Sequence, residues 1–162
     1  MAHEYRAVVD WRRDGAVFTD GKYGRSHRWI FDGGVEVPAS SAPSSVPLPL
    51  SRADAVDPEE ALCAAVSSCH MLFFLAFAAK EGFVVDSYRD EAVATMSRNA
   101  RAKLYVSKVG LNPLVAFSGE RQPSQAEIAK LHHQAHAECY IANSILAEVT
   151  VAGLAHAEAE PA

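Results

Sequence analysis

The sequence predicts an α+β fold in which strands, a long helix, more strands, a second helix and a last strand follow in order. Three observations support this order: alternating apolar residues near the N-terminus, a long apolar run after an Asp-Pro pair, and a shorter helical pattern after Ser124. The length of 162 residues favours a single domain over 1–162, ordered from about 4 to 154.

The N-terminal third predicts strands and a long loop. Residues 4–12 alternate in part between apolar and polar side chains, and 27–31 repeat this pattern. Asp-Gly pairs at 14–15 and 20–21 indicate turns between them. The Ser- and Pro-rich stretch 38–51 suits neither a helix nor a central strand, so we predict a long loop packed over the domain.

The best-defined helix begins after Asp57. Asp57 is a suitable N-cap, Pro58 fits the first helical position, and Glu60 completes a capping box. Apolar residues then dominate to Ala79. The run is long enough to raise the question of a membrane span, but polar residues interrupt its centre, so we expect a buried helix. A single small domain can hardly cover every face of it, which predicts a two-fold dimer.

The remaining sequence predicts strands around a second helix. Residues 84–96 and 103–117 carry β-branched and aromatic side chains at roughly alternate positions, which predicts a meander of two or more strands. Ser124 begins a second capping box, and the helix after it is expected to reach about Glu138. Residues 148–154 predict a last strand.

Composition and charge narrow the class of protein. Hydrophobic residues make up 49% and charged residues 22%, an ordinary globular composition. The net charge of −5 gives no electrostatic signature for nucleic acid or an anionic membrane, and we expect neither partner. The N-terminus lacks the apolar region of a secretory signal. Three cysteines then indicate a reducing, cytoplasmic location, where thiols are catalytic or redox-cycling rather than structural.

The three cysteines occupy different contexts. Cys69 lies in the middle of the apolar helix, where a free cysteine is often a small hydrophobic residue. Cys63 lies six residues earlier and is rotated by about 120° to another face. Cys139 follows the second helix, and His132, His136 and Cys139 share one face if that helix continues. The spacing fits a solvated polar face, a zinc site, or a thiol whose pKa neighbouring imidazolium lowers, and does not choose between them.

Two segments resemble the signature regions of the OsmC/Ohr family. Residues 56–61 read VDPEEA and residues 64–72 read AAVSSCHML, which places Cys69 ten residues after Glu59. The family places its peroxidatic cysteine at this separation. Residues 132–144, HHQAHAECYIANS, resemble the family's second cysteine region.

The N-terminal part adds to this resemblance. Residues 23–27, YGRSH, and 31–34, FDGG, are similar to an OsmC-like subgroup, so the resemblance spans about 4–154. It implies an OsmC-like fold, with antiparallel sheets around two central helices in an intertwined homodimer. It also implies an antioxidant enzyme of the oxidative stress response, a peroxidase that reduces organic hydroperoxides to alcohols without a cofactor or metal. The reductant would be a dithiol, by family analogy a lipoyl dithiol.

The resemblance also assigns roles to individual residues. Cys69 would be the peroxidatic thiolate and Cys139 the resolving cysteine that forms a disulfide with it. Arg25 would hold the thiolate and polarise the peroxide, with Glu59 fixing its guanidinium by a paired hydrogen bond. A buried reactive thiol needs such a cation, since burial alone raises its pKa. Two other arginines are alternative carriers of this charge: Arg28 and Arg52.

Two departures from the family pattern leave alternatives open. His70 follows Cys69 where many members carry Phe; it would tune the thiolate, contact the substrate, or be a satisfied core histidine, and His136 is a similar candidate. The loop 38–51 is long enough to line a substrate entrance. The competing functions are a non-catalytic metal- or ligand-binding domain that uses His132, His136 and Cys139, and a thiol redox sensor without turnover.

Overall fold

A computed structural model describes residues 3–153 of the chain. It divides into two compact units, Met1–Ala61 and Leu62–Ala162. Within the described residues, eight strands and two α-helices confirm the α+β class. The expectation of a single domain over 1–162 stays a prediction.

The first unit contains a three-stranded antiparallel sheet in the order β1-β2-β3. Its strands are β1 (Ala7–Asp10), β2 (His27–Phe31) and β3 (Glu36–Ala39). The loop therefore begins two residues later in the structure than the sequence predicts, because Pro38 belongs to β3 and pairs with Arg28. Proline is tolerated there because β3 is an edge strand, whose outer side needs no N–H for the ladder.

Residues 40–57 form the packed loop that the composition predicts. The N–H of Ser40 donates to the carbonyl of Val56 over 3.0 Å, and the N–H of Arg25 donates to the carbonyl of Leu50 over 2.8 Å. Ser40 and Ser51 are buried. The loop is thus fixed to the first unit by main-chain bonds at both of its ends and in its middle.

Helix α1 spans Pro58–Lys80 and starts as predicted. The N–H of Glu60 donates to Asp57 over 2.8 Å, and the N–H of Asp57 donates to Glu60 over 3.2 Å. The helix ends before Gly82, whose φ of +80° suits a residue without Cβ.

Helix α1 is buried along one side only within a single chain. Its buried residues repeat every fourth position: Val66, His70, Phe74 and Ala78. They form a narrow stripe. By length and composition alone α1 is apolar enough to cross a membrane, and 22% of its most apolar window is buried.

The strands of the second unit are nested rather than arranged as the predicted meander. They are β4 (Val84–Asp90), β5 (Val93–Arg98), β6 (Leu104–Leu111) and β7 (Pro113–Ser118). Strand β4 pairs with β7, and the hairpin β5–β6 lies between them in sequence. Strand β8 (Glu148–Val151) pairs with β6 in parallel, which corrects the expectation of antiparallel sheets throughout. A parallel partner needs a long crossover, and helix α2 lies within it.

Helix α2 spans Gln125–Glu138 and begins with the predicted box of Ser124 and Glu127. The second half of α1 packs with α2 against β4 and β7 in a cluster centred on Phe74 and Leu131. Val66, earlier on α1, packs against β6 in a second cluster with Val109 and Leu111. Cys69 and His70 lie on α1 between the residues that anchor these two clusters.

Candidate active site

The structure brings together the two cysteines that the sequence singled out. Cys69 lies in the middle of α1. Cys139 is the C-cap of α2, and its backbone conformation is extended. Their side chains are neighbours, close enough for Cys69 to raise the pKa of Cys139. Cys69 is half-buried and Cys139 is 1% exposed, so a small molecule has access to the first thiol and not to the second.

The Cys139 thiol holds its proton firmly. Burial, followed by the neighbouring Cys69 side chain and its charge, raises the pKa of Cys139 to about 11. The N–H groups of Ile141 and Ala142 donate to its sulfur and oppose this rise, the second over 3.4 Å. Of the readings left open for Cys139, the structure does not support a pKa lowered by imidazolium, because burial raises the pKa of this thiol.

The main chain after α2 fixes Cys139 in place. The N–H of Cys139 donates to the carbonyl of His136 over 3.3 Å. The side-chain amide of Asn143 donates to the carbonyls of Ala137 and Cys139 over 2.9 and 3.1 Å. A short 3-10 helix, Ala142–Ser144, follows. Sequence reasoning missed Asn143, although an asparagine just beyond a helix is a common partner for unpaired carbonyls.

His70 and His132 form a buried pair beside the thiols. Nε2 of His70 lies 3.0 Å from Nδ1 of His132, and the two rings are nearly parallel. Burial lowers the pKa of each imidazole to about 4, so both are neutral at physiological pH. Of the three roles left open for His70, the structure supports a hydrogen-bonded core residue.

The spacing of His132, His136 and Cys139 does not produce a metal site in the described residues. Helix α2 ends at Glu138, so Cys139 leaves the helical face. His132 is bonded to His70, and His136 is exposed. Within residues 3–153, no group of three metal-binding side chains comes together.

Cys63 has different neighbours from Cys69, as the helical rotation predicts. It packs against the cluster that contains Val66 and Val109. Burial, and then the charge of Asp90, raises the pKa of its thiol. Asp90 accepts hydrogen bonds from the Ser67 hydroxyl and the Asn112 N–H. Cys63 therefore has the environment of a packing residue.

In the first unit, Arg25 does not make the predicted hydrogen bond to Glu59. Its guanidinium donates instead to the carbonyls of Gly21 and Tyr23, the first over 3.0 Å. It also lies over the Tyr23 ring, 3.8 Å from the centroid. The tight turn after Gly21 folds the side chain back on its own main chain, which explains the difference. Glu59 is half-buried in the first turn of α1.

The two alternative arginines are already paired with carboxylates. Arg28 forms ion pairs of 2.7 Å with Asp10 and 3.1 Å with Glu36. Arg52 forms one of 2.7 Å with Asp54. Of these three candidate arginines, only Arg25 lacks a carboxylate partner among the residues that the structure describes.

Arg25 also lines a cavity of about 390 Å³ in the first unit. The aromatic rings of its wall touch one another, with 5.5 Å between the centroids of Trp11 and Tyr23 and 4.6 Å between those of Phe18 and Tyr23. The other lining residues are Val9, His27, Ser40, Ser41 and Pro58. Ser40 and Ser41 come from the loop, so the loop lines this cavity, and its role as a substrate entrance stays a prediction. Sequence reasoning missed the aromatic wall, whose only signal was Trp11, Phe18 and Tyr23 around the Asp-Gly turns.

Comparisons with known proteins agree with this fold. The family model described as OsmC-like protein matches residues 51–152. An OsmC-like protein of unknown function from Vibrio cholerae O1 biovar eltor is 49% identical, with a TM-score of 0.90 over 93% of this chain and 98% of that one. No curated protein matches the sequence.

More distant structures share the fold alone. An organic hydroperoxide resistance protein from Elizabethkingia anophelis is 15% identical, with a TM-score of 0.67 over 93% of this chain and 96% of its own. The organic hydroperoxide resistance protein OhrB of Bacillus subtilis is 14% identical, with a TM-score of 0.61 over 92% and 96%. With its matching family model, its close structural relative and its paired cysteines, the chain belongs to the OsmC/Ohr family.

Proposed function

We propose that this protein is a thiol-dependent peroxidase that reduces organic hydroperoxides to alcohols. The observation that carries the proposal is the neighbouring pair of Cys69 and Cys139, one thiol accessible and the other buried. Such a pair supports a two-cysteine cycle. The names of distant relatives, organic hydroperoxide resistance proteins, point to the same substrate class.

The first step forms a sulfenic acid on Cys69. Its thiolate attacks the distal oxygen of ROOH, the O–O bond breaks, and the alkoxide leaves as ROH after taking up a proton. Cys69 is the attacking sulfur because Cys139 retains its proton next to the Cys69 charge. We assign Arg25, with Glu59 as its positioning partner, to polarising the peroxide, since Arg25 lacks a competing carboxylate.

The second step joins the two sulfurs. Once Cys69 is a neutral sulfenic acid, its negative charge no longer raises the pKa of Cys139. The N–H groups of Ile141 and Ala142 then favour the Cys139 thiolate. As the S–S bond forms, the S–O bond breaks and the oxygen leaves as water. An external dithiol, of lipoyl type by family analogy, returns both sulfurs to thiols in the cytoplasm.

The test is consumption of cumene hydroperoxide with a dithiol reductant. We expect multiple turnovers, and a stoichiometric dose without reductant should yield one intramolecular Cys69–Cys139 disulfide by peptide mapping. The Cys139→Ser variant should instead stop at sulfenic Cys69 with one equivalent of hydroperoxide and reach sulfinic Cys69 with a second. A disulfide that forms without turnover would identify a redox sensor. A disulfide to Cys63 would exclude Cys139 as the resolving residue.

A further inference from the structure

A second buried pair joins α1 to α2 beside the thiols. His70 directly follows Cys69, and His132 lies seven residues, about two helical turns, before Cys139. The imidazole rings are hydrogen-bonded over 3.0 Å and stacked at 5.3 Å with an interplanar angle of 13°. Each helix therefore supplies one imidazole to the pair, and one thiol lies within α1 while the other caps the end of α2.

The geometry decides which ring donates. Nδ1 of His70 is buried and has no hydrogen-bond partner. A proton there would be an unpaired buried donor, which costs more than an unpaired acceptor. His70 therefore carries its proton on Nε2 and donates it to Nδ1 of His132, whose own proton lies on Nε2.

We infer that the His70–His132 hydrogen bond positions Cys139 against Cys69 for disulfide formation. The inference rests on the proposed function for the source of the oxidised sulfur. Both imidazoles act through their helices as positioning residues. In the step they assist, the S–S bond replaces the S–O bond of the Cys69 sulfenic acid, and the Cys139 thiol proton leaves in the water formed.

The hydrogen bond adds a directional contact between α1 and α2 to one that is otherwise apolar. The residues one turn either side of His70 on the buried stripe are Val66 and Phe74, which bury area without a preferred orientation. A buried polar pair, by contrast, has one satisfied arrangement and penalises the others. Disulfide formation requires the two Cα atoms to come within roughly 7 Å, so a small shift of α2 would separate the sulfurs.

Substitution by amides separates the hydrogen bond from the packing. A glutamine amide reaches the position of an imidazole Nε2, whereas an asparagine amide reaches that of Nδ1. His70→Gln therefore keeps the donor, and His70→Asn loses it. At His132 the order reverses: His132→Asn keeps the acceptor, and His132→Gln loses it.

The readout is the equilibrium constant of the Cys69–Cys139 disulfide in a dithiothreitol redox buffer, with the linkage mapped by mass spectrometry. We expect His70→Gln and His132→Asn to stay within about twofold of the native constant, and His70→Asn and His132→Gln to lower it about tenfold. The exposed His133, on the same helix, supplies the matched control. His133→Asn and His133→Gln should both leave the constant unchanged.

Equal constants for the Gln and Asn variants at either position would overturn the inference. If the two bond-breaking variants fail to fold, the bond-keeping ones still decide, because a tenfold loss in either contradicts the role. The buffer contains no peroxide, so this test is separate from that of the function. A native protein that forms the disulfide without consuming hydroperoxide refutes only the proposed function. Turnover with one constant for all four variants refutes only the positioning role.

Discussion

The two units hold their polar functional groups in opposite ways. In residues 62–153, two thiols lie side by side and two imidazoles are hydrogen-bonded, and only Cys69 among these four residues retains substantial access to solvent. In residues 3–61, Arg25 lies at the wall of an aromatic cavity and bonds only to carbonyls and a ring. The first arrangement is complete in itself, whereas the second leaves a cation available to an anionic or polarisable ligand.

This difference implies that disulfide formation and activation of the Cys69 thiolate require different side chains. The pair of cysteines needs nothing outside residues 62–153 to form a disulfide. Within that described part, however, no arginine or lysine hydrogen-bonds to Cys69, and the nearby imidazoles are neutral. We therefore expect peroxide reduction to need a cation in addition to the two thiols, and disulfide formation to need the thiols alone.

The largest expected effect comes from the nucleophile. Cys69→Ser should lower hydroperoxide consumption by about three orders of magnitude or more, because no other accessible thiol is placed to replace it. Cys63→Ser is the matched control on the same helix and should retain most activity, since Cys63 packs in a separate cluster. Initial rates with cumene hydroperoxide measure both. Comparable losses in two folded variants would contradict the assignment of Cys69.

The next effect tests the cation of the first unit. Arg25→Ala should lower kcat/KM about a hundredfold, the usual loss for one electrostatic donor to a developing charge. Arg28→Ala and Arg52→Ala should leave most activity, because their carboxylate pairs occupy them. The redox-buffer equilibrium of the Cys69–Cys139 disulfide should not change in Arg25→Ala. If Arg28→Ala or Arg52→Ala gave the large loss instead, the charge would be supplied by that residue.

Local signals in the sequence were sufficient to predict where the two helices begin and which cysteines belong to the candidate site. Both capping boxes need only residues three positions apart, and both form as predicted. The ten-residue separation of Glu59 and Cys69 and the second cysteine segment also identify the family without any long-range contact. These features depend on residues that are close together in the sequence, so they can be predicted from the sequence alone.

The features that sequence reasoning missed depend on long-range pairing. The partner of β4 is β7 rather than β5, and that of β8 is β6 in parallel, neither of which alternation of side chains specifies. The hydrogen bond from His70 to His132 spans 62 residues. Arg25 was predicted to reach Glu59, but the short turn offered it nearer carbonyl acceptors. The type of residue was thus predictable, while its partner was not.

A smaller effect follows from the neutral imidazole pair of the second unit. Both pKa values fall to about 4 on folding, while unfolded histidine titrates near 6.5. The unfolded chain therefore binds protons first as the pH falls, so the stabilisation is complete above about pH 6.5 and is lost toward pH 4. The loss is on the order of 3 kcal/mol for each histidine. The charge of the exposed His136 also lowers the pKa of His70, whereas the charge of Asp90 opposes the lowering of the His132 pKa.

Urea unfolding followed by circular dichroism at several pH values measures this effect. The double variant His70→Gln with His132→Asn keeps the hydrogen bond and removes both titrating groups, so its free energy of unfolding should vary much less with pH. His133→Gln, on an exposed position of the same helix, should vary like the native protein. An equally steep loss in the double variant would place the acid sensitivity elsewhere.

The smallest expected effect is a twofold difference in the sedimenting mass, and it depends on the exposed apolar surface of α1. Only 22% of its most apolar window is buried in one chain, and Leu72 remains 61% exposed. In water that apolar surface favours association with a second copy through a two-fold interface. Sedimentation at micromolar concentration should therefore give about 35 kDa, twice the chain mass of 17.5 kDa. Leu72→Glu should shift the protein toward 17.5 kDa, whereas Leu104→Glu, at a similarly exposed residue on β6, should not. A native protein that sediments at 17.5 kDa and is fully active would show that activity does not need a dimer.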